Sequence, residues 1–201
     1  EMSIRLKRNW FKVVGGDVSP EMLEKATEKA RKARLDVPFV FSDLNDLHLE
    51  KKCDFVTAVC DGFNYVKGKN LAVAFNEIYS ALNDGGVFIF DVSSANKLEN
   101  VLGNNVFILE SESCFCSWQN EYDRRRKICD FYLTFFCNEG KHYSRFDEVH
   151  SERAYSIDEI TLMLEKAGMK LLRVYDDRSF DSPKYDSERV FFVAQEQGKK
   201  R

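Results

Sequence analysis

Apolar positions in the first ninety residues fall into short runs that alternate with longer, helically spaced stripes. Phe11 to Val14 reads as a buried strand ending in Gly15-Gly16-Asp17, after which Ser19 and Pro20 supply a helix cap and a pre-set first φ. From Pro20 to Arg34 the apolar positions Met22, Leu23, Ala26, Ala30 and Ala33 share one stripe, with glutamates in the first turn where the helix dipole favours them. Pro38 to Phe41 predicts the next strand, ending at Ser42-Asp43-Leu44. Two short strands joined by a helix require parallel pairing and a right-handed crossover. Asp54 to Cys60 predicts a further strand that meets Asp61-Gly62-Phe63-Asn64-Tyr65. Leu71, Phe75, Ile78 and Leu82 mark a second amphipathic helix, stopped at Asp84-Gly85-Gly86, and Val87 to Val92 is the most strand-like run in the chain. Only the start is ambiguous: Met2, Ile4 and Leu6 alternate like a strand, while the basic residues among them suit a short helix.

The period then drops to two. Between Val106 and Tyr155, Cys129, Phe131, Leu133, Phe135 and Cys137 alternate with Asp130, Tyr132, Thr134 and Phe136, and turn-like breaks fall at Asp123 to Lys127 and at Asn138 to Lys141. This predicts an inserted antiparallel meander of three or four strands. Ser156-Ile157-Asp158-Glu159 is a capping box opening a helix that Gly168 closes. Lys170 to Tyr175 and Glu188 to Ala194 then predict two strands that must pair antiparallel, because no helix separates them. The expected fold is α/β: a Rossmann-like, doubly wound core of residues 1–103 and 156–201 with an antiparallel final strand, carrying an antiparallel β lid at 104–155.

Composition narrows the function classes. A chain of 201 residues and 23.4 kDa suits one core with an added subdomain. A net charge of −3 and a pI near 5.8 disfavour nucleic acid as a partner. No apolar run approaches the roughly 20 residues of a membrane span, and no signal peptide opens the chain, so a cytoplasmic setting is expected. The six cysteines form no C-x-x-C pair and have no histidine at finger-like spacing, so no metal site is expected; Cys60, Cys129 and Cys137 lie in apolar runs and read as buried thiols. The aromatic-rich meander could pair with a second copy in a homodimer. Arg124-Arg125-Arg126-Lys127 and the closing Lys199-Lys200-Arg201 read as solvated charge.

Candidate chemistry gathers at strand ends, each of which carries an acid: Asp17, Asp43 and Asp61. In open α/β sheets that edge binds ligands. Asp17 could take both hydroxyls of a ribose, Asp43 the exocyclic amine of an adenine with Leu44 against the ring, and Asp61 the far end of the ligand. Carboxylates there suit a sulfonium and suit a polyphosphate badly, favouring S-adenosylmethionine over NAD. An NAD-dependent oxidoreductase is further disfavoured by the antiparallel final strands and the lack of G-x-G-x-x-G. A nucleotide fold carries its glycine-rich loop about 20 residues ahead of the ribose acid, and counting back from Asp17 runs past Glu1.

The runs VVGGDVSPEMLEKA, FSDLNDL, CDGFNYV and ALNDGGVFIFDV, with the closing β-hairpin, resemble in order and spacing the successive motifs of class I S-adenosylmethionine-dependent methyltransferases. The likeness extends from Ser3 to Ala194 and is nearest to the bacterial small-molecule type, whose β insertion carries a sequence like RFDEVHSERAY. It implies that Asp17 binds the cofactor ribose, Val18 and Met22 flank the adenine, Asp43 and Leu44 hold its edge, and Cys60 and Asp61 sit beside the methionine part. The family's first strand and E/D-x-G-x-G loop have no counterpart here, and Glu1 falls in what would be its first helix. The methyl acceptor should sit between sheet edge and insertion, lined by Asn64, Tyr65, Trp118, Glu121, Tyr122, His150 and Arg153. Methyl transfer needs mainly positioning and water exclusion, with a base only for a protonated acceptor, so no catalytic residue is singled out. Trp118 and Tyr122 as plain packing, His150 as a paired strand-face residue, and the whole chain as a non-catalytic partner-binding module are the competing readings.

Overall fold

The computed structural model describes residues 1–47, 49–177 and 179–198, so the basic tail at 199–201 lies outside the described residues. The chain divides into two units, Glu1–Lys51 and Lys52–Arg201.

The first unit contains α1 (Met2–Arg8), β1 (Gly15–Asp17), α2 (Pro20–Lys32) and β2 (Phe39–Phe41). The ambiguous start is a helix. Arg5, Lys7 and Arg8 fill its last turn, where the dipole favours cations, and Ile4 is buried with Ala30 and Val37. β1 and β2 pair in parallel, Gly15 opposite Phe39 and Asp17 opposite Phe41. The strand therefore falls on the two glycines and Asp17 rather than on Phe11 to Val14. A Cβ on Gly15 would stand 2.6 Å from two Phe39 ring atoms, so glycine is what lets the strands close there. Ser19 caps α2 as its position predicts, accepting from the Met22 N–H at 3.2 Å.

In the second unit, β3 (Cys53–Ala58), β4 (Leu82–Ser93), β10 (Arg189–Glu196) and β9 (Met169–Asp176) form a sheet in the order β3-β4-β10-β9. β3 and β4 are parallel, and β10 runs antiparallel to both its neighbours. With α3 (Asn70–Ala81), the sheet encloses five fully buried phenylalanines: Phe63, Phe75, Phe88, Phe90 and Phe192. Phe90 stacks on Phe88 at 4.5 Å and on Phe192 at 5.0 Å, joining adjacent antiparallel strands through one aromatic column. α3 ends at Ala81, a turn earlier than the glycines suggest, because Leu82 already has extended angles and pairs with Cys53. Ser156 caps α4 (Ile157–Lys166) by accepting from the Glu159 N–H at 3.1 Å.

Between β4 and α4 lie a π-helical turn, Lys97–Leu102, and an antiparallel sheet β5 (Val106–Glu110), β6 (Cys114–Asp123), β7 (Ile128–Asn138) and β8 (Tyr143–Arg153). Its inner face packs Cys129 and Phe131 against Leu98, Leu102 and Ala154, with Phe107, Trp118, Tyr122 and Leu133 around them. The outer face leaves Tyr132 and Val149 exposed. Cys129 is the buried thiol expected, but Cys60 is exposed and Cys137 forms a disulfide with its cross-strand partner Cys114. The disulfide was not legible locally, because which cysteine faces Cys137 is set by strand register rather than by the apolar run around it.

Candidate functional site

Asp17 ends β1, and Asp43 stands two residues beyond β2, so adjacent parallel strands bring both acids to one edge of the first unit. Asp17 Oδ1 accepts the Ser19 N–H at 2.9 Å, and Asp43 Oδ1 accepts the backbone and side-chain N–H of Asn45 at 2.8 and 3.1 Å. Val18 and Met22 are about half exposed, at 54% and 51%, and Leu44 is partly buried. Ser42 Oγ and Asn45 Oδ1 are buried with no hydrogen-bond partner. Acids, uncovered apolar side chains and unmet polar atoms at one edge fit the diol, ring faces and amine of an adenosine.

In the second unit the turn after β3 contains Cys60 and Asp61, both left-handed at φ 69° and 53°. Such angles cost about 1–3 kcal/mol each in residues other than glycine, so something must hold them. That something is Asp91, which is wholly buried on β4. Its Oδ1 accepts the Cys60 N–H at 2.7 Å, and its Oδ2 accepts the Asp61 N–H at 3.2 Å. Arg189 on β10 donates to Asp91 Oδ2 and, at 2.5 Å, to Asp61 Oδ2. Burial opposes the guanidinium charge, but the Asp91 and Asp61 carboxylates outweigh it and hold Arg189 firmly protonated, its pKa raised. Ser93 Oγ donates to Asp61 Oδ2 at 3.2 Å and receives Lys97 Nζ at 3.4 Å.

The seven proposed acceptor residues divide by strand alternation. Paired positions across the insertion share a face: Trp118 with Leu133, Asn120 with Phe131 and His150, Tyr122 with Cys129 and Glu152. Trp118, Tyr122 and His150 thus lie on the inner face. Tyr65 approaches the same face, its ring edge-on to His150 at 6.1 Å and its phenol under the influence of the Glu152 charge. His150 Nε2 lies 3.0 Å from Glu148 Oε2. The other three positions do not join them. Glu121 lies on the opposite face with Tyr132. Arg153 stacks over the Tyr155 ring at 4.2 Å and pairs with Glu159 at 2.7 Å. Asn64 is fully buried and spent on backbone: its Nδ2 donates to the carbonyls of Ser93 and Arg153, both at 3.0 Å, and its Oδ1 accepts the Ser93 N–H at 2.9 Å. It clamps β4 to the end of β8.

Three further residues belong to this region: Asp91, Arg189 and Glu152. Asp91 was visible as the acid inside the most apolar strand. Glu152 was visible only as the next inward position after His150. It is 6% exposed, and its Oε2 has no partner. Burial, then the nearby Asp61 charge, push its carboxyl up to about 7 against the pull of Lys97, Tyr65 and Arg189. Burial, then Glu152 and Asp61, push the Tyr65 phenol up to about 12. On the same face Trp118 Nε1 and Asn120 Oδ1 are also buried without partners.

The comparisons with known proteins show the class of enzyme to which the chain belongs, an S-adenosylmethionine-dependent methyltransferase. Residues 1–86 match the model of a methyltransferase domain. YqeM of Bacillus subtilis, named as a candidate methyltransferase, is 34% identical over 199 residues, covering 97% of this chain and 79% of that protein. The crystal structure of an S-adenosylmethionine-dependent methyltransferase from Clostridium acetobutylicum superposes with a TM-score of 0.87 at 32% identity, covering 94% of this chain and 76% of that one. The CcbJ methyltransferase from Streptomyces caelestis, at 19% identity, shares the fold with a TM-score of 0.82 over 96% of this chain and 78% of its own. The chain belongs to the class I S-adenosylmethionine-dependent methyltransferases, with their Rossmann-like α/β fold and their cofactor. Among the described residues no helix is long and apolar enough to cross a membrane.

Proposed function

We propose that the chain methylates a small molecule seated against the inner face of the insertion. The observation that carries this reading is the set of three unpartnered buried polar atoms on that face, Trp118 Nε1, Asn120 Oδ1 and Glu152 Oε2, beside the half-exposed Tyr65. Buried polar groups are satisfied in working proteins, so a face that leaves three unmet expects a polar ligand or bound water. Tyr65, Trp118, Tyr122 and His150 line it. Asp17 holds the cofactor ribose, Val18 and Met22 cover the adenine faces, and Asp43 with Leu44 takes the adenine edge. Cys60 and Asp61, fixed by Asp91 and Arg189, attend the methionine part. When bound, the cofactor supplies a sulfonium methyl group as electrophile. The chain's own task is to hold the acceptor in line and keep water out.

Calorimetric titration of the full-length protein with S-adenosylhomocysteine tests the cofactor assignment. Asp17→Ala removes two charge-assisted hydrogen bonds and should weaken binding about 10–100-fold. Equal binding by Asp17→Ala refutes the ribose role, and no binding by the parent protein refutes the reading as a whole.

A further inference from the structure

We propose that Glu152 is the acceptor-recognition and proton-accepting residue of this methyltransferase, and that the group it takes is an amino group. The inference rests on the acceptor site proposed above and adds the substrate class. Glu152 lies on the inner face of β8 opposite Cys129, and the charges of Asp61 after β3, Lys97 in the π-helical turn and Arg189 on β10 act on its carboxyl, as it acts on the Tyr65 phenol. One carboxyl oxygen is left without a donor. A buried acceptor atom in that state is destabilising until a donor arrives.

The charge count chooses the donor. Glu152 adds a third acid to Asp61 and Asp91, against two cations, Arg189 and Lys97. With Glu152 ionised the cluster is one positive charge short, and Asp61 is among the groups that repel the new charge. An ammonium completes both the hydrogen bonding and the charge, whereas a hydroxyl completes only the first. The same placement suits the proton's path. Ionised Glu152 accepts one N–H proton from the bound ammonium, freeing the nitrogen lone pair. That pair forms the nitrogen–carbon bond as the carbon–sulfur bond breaks and leaves its electrons on sulfur. The product departs as a methylammonium, and Glu152 returns its proton to solvent.

The test is carbon NMR of the full-length protein carrying carboxyl-labelled glutamate, saturated with S-adenosylhomocysteine, with n-butylamine or n-butanol as probe. The Glu152 resonance is identified as the one lost in Glu152→Gln and displaced in Tyr65→Phe, so assignment does not hang on one variant folding. The expected result is a titration midpoint lowered by about one unit, tenfold in proton affinity, with the amine and unmoved by the alcohol. An equal response to both probes, or to neither, overturns the proposal. Calorimetric binding of S-adenosylhomocysteine in the same samples separates the failures: binding without a Glu152 response sinks only this inference, and no binding sinks the functional reading beneath it.

Discussion

Replacing Arg189 should unmask how the turn after β3 is held. Arg189→Met keeps the volume of the side chain's stem and removes the cation that spans Asp91 and Asp61. Asp91, whose side chain is 1% exposed, would keep its two backbone donors at 2.7 and 3.2 Å and lose its counter-charge. Breaking a buried pair from one side costs about 3–5 kcal/mol, and the surviving donors place this case at the lower end, about 3 kcal/mol at pH 8. Urea unfolding of parent and variant at pH 8 reads the difference, with unchanged m-values certifying that only stability moved. Adding Asp91→Asn should recover at least half the loss, because the remaining amide carries no charge. A deficit under about 1 kcal/mol at pH 8, or no recovery in the double variant, would refute the clamp.

Other perturbations test neighbouring parts. Glu152→Gln removes a carboxyl whose folded pKa of about 7 lies above its reference of 4.5. The parent should therefore lose stability relative to the variant as pH climbs through that window, by up to about 3 kcal/mol; parallel unfolding curves from pH 4.5 to 8 contradict it. Asn64→Ala strips three hydrogen bonds from the joint of β4 and β8 and leaves the buried Ser93 amide unmet, for a loss of about 3 kcal/mol in the same unfolding assay. A cost within 0.5 kcal/mol, the size of an ordinary surface change, would show the clamp to be idle. Gly168→Ala must adopt φ +88° with a Cβ 2.9 Å from the Tyr79 ring, so its melting temperature should fall, and an unchanged one would mean the α4–β9 turn can rearrange.

Local pattern carried the order of elements and little of what joins them. The helical stripe from Met22 to Ala33, the capping box at Ser156 and the period-two run around Phe131 are short-range signals, and each produced its element. The first strand slipped because its three residues pair with Phe39 to Phe41, and no local pattern reports which neighbour a strand will meet. Within the insertion, the positions that fall away from the inner face do so for one reason. Candidates were drawn from positions near one another in sequence, while membership of a face depends on parity: Trp118 and Tyr122 fall inward, and Glu121 between them falls outward. Arg153 failed in the same way beside Glu152. The inward-facing acid of β8, Glu152, stands one residue from the position singled out in the sequence.

The second unit gives that displacement a physical meaning. Asp91 and Arg189 lie opposite Phe191 and Ser93 respectively, at the paired ends of β4 and β10, so the sheet core itself carries the groups that fix Cys60 and Asp61. Asp61 in turn acts on Glu152 across the insertion, and Asn64, three residues on, ties β4 to the last residue of β8. One short segment after β3 is therefore gripped by the core on one side and by the insertion on the other. Any change that relaxes Arg189 must also reach Glu152, because the charge that lifts its carboxyl sits on the residue Arg189 holds. Stability of the turn and ionisation of the buried acid are one coupled quantity, and in the Arg189→Met variant the Glu152 midpoint should move along with the unfolding free energy rather than independently of it.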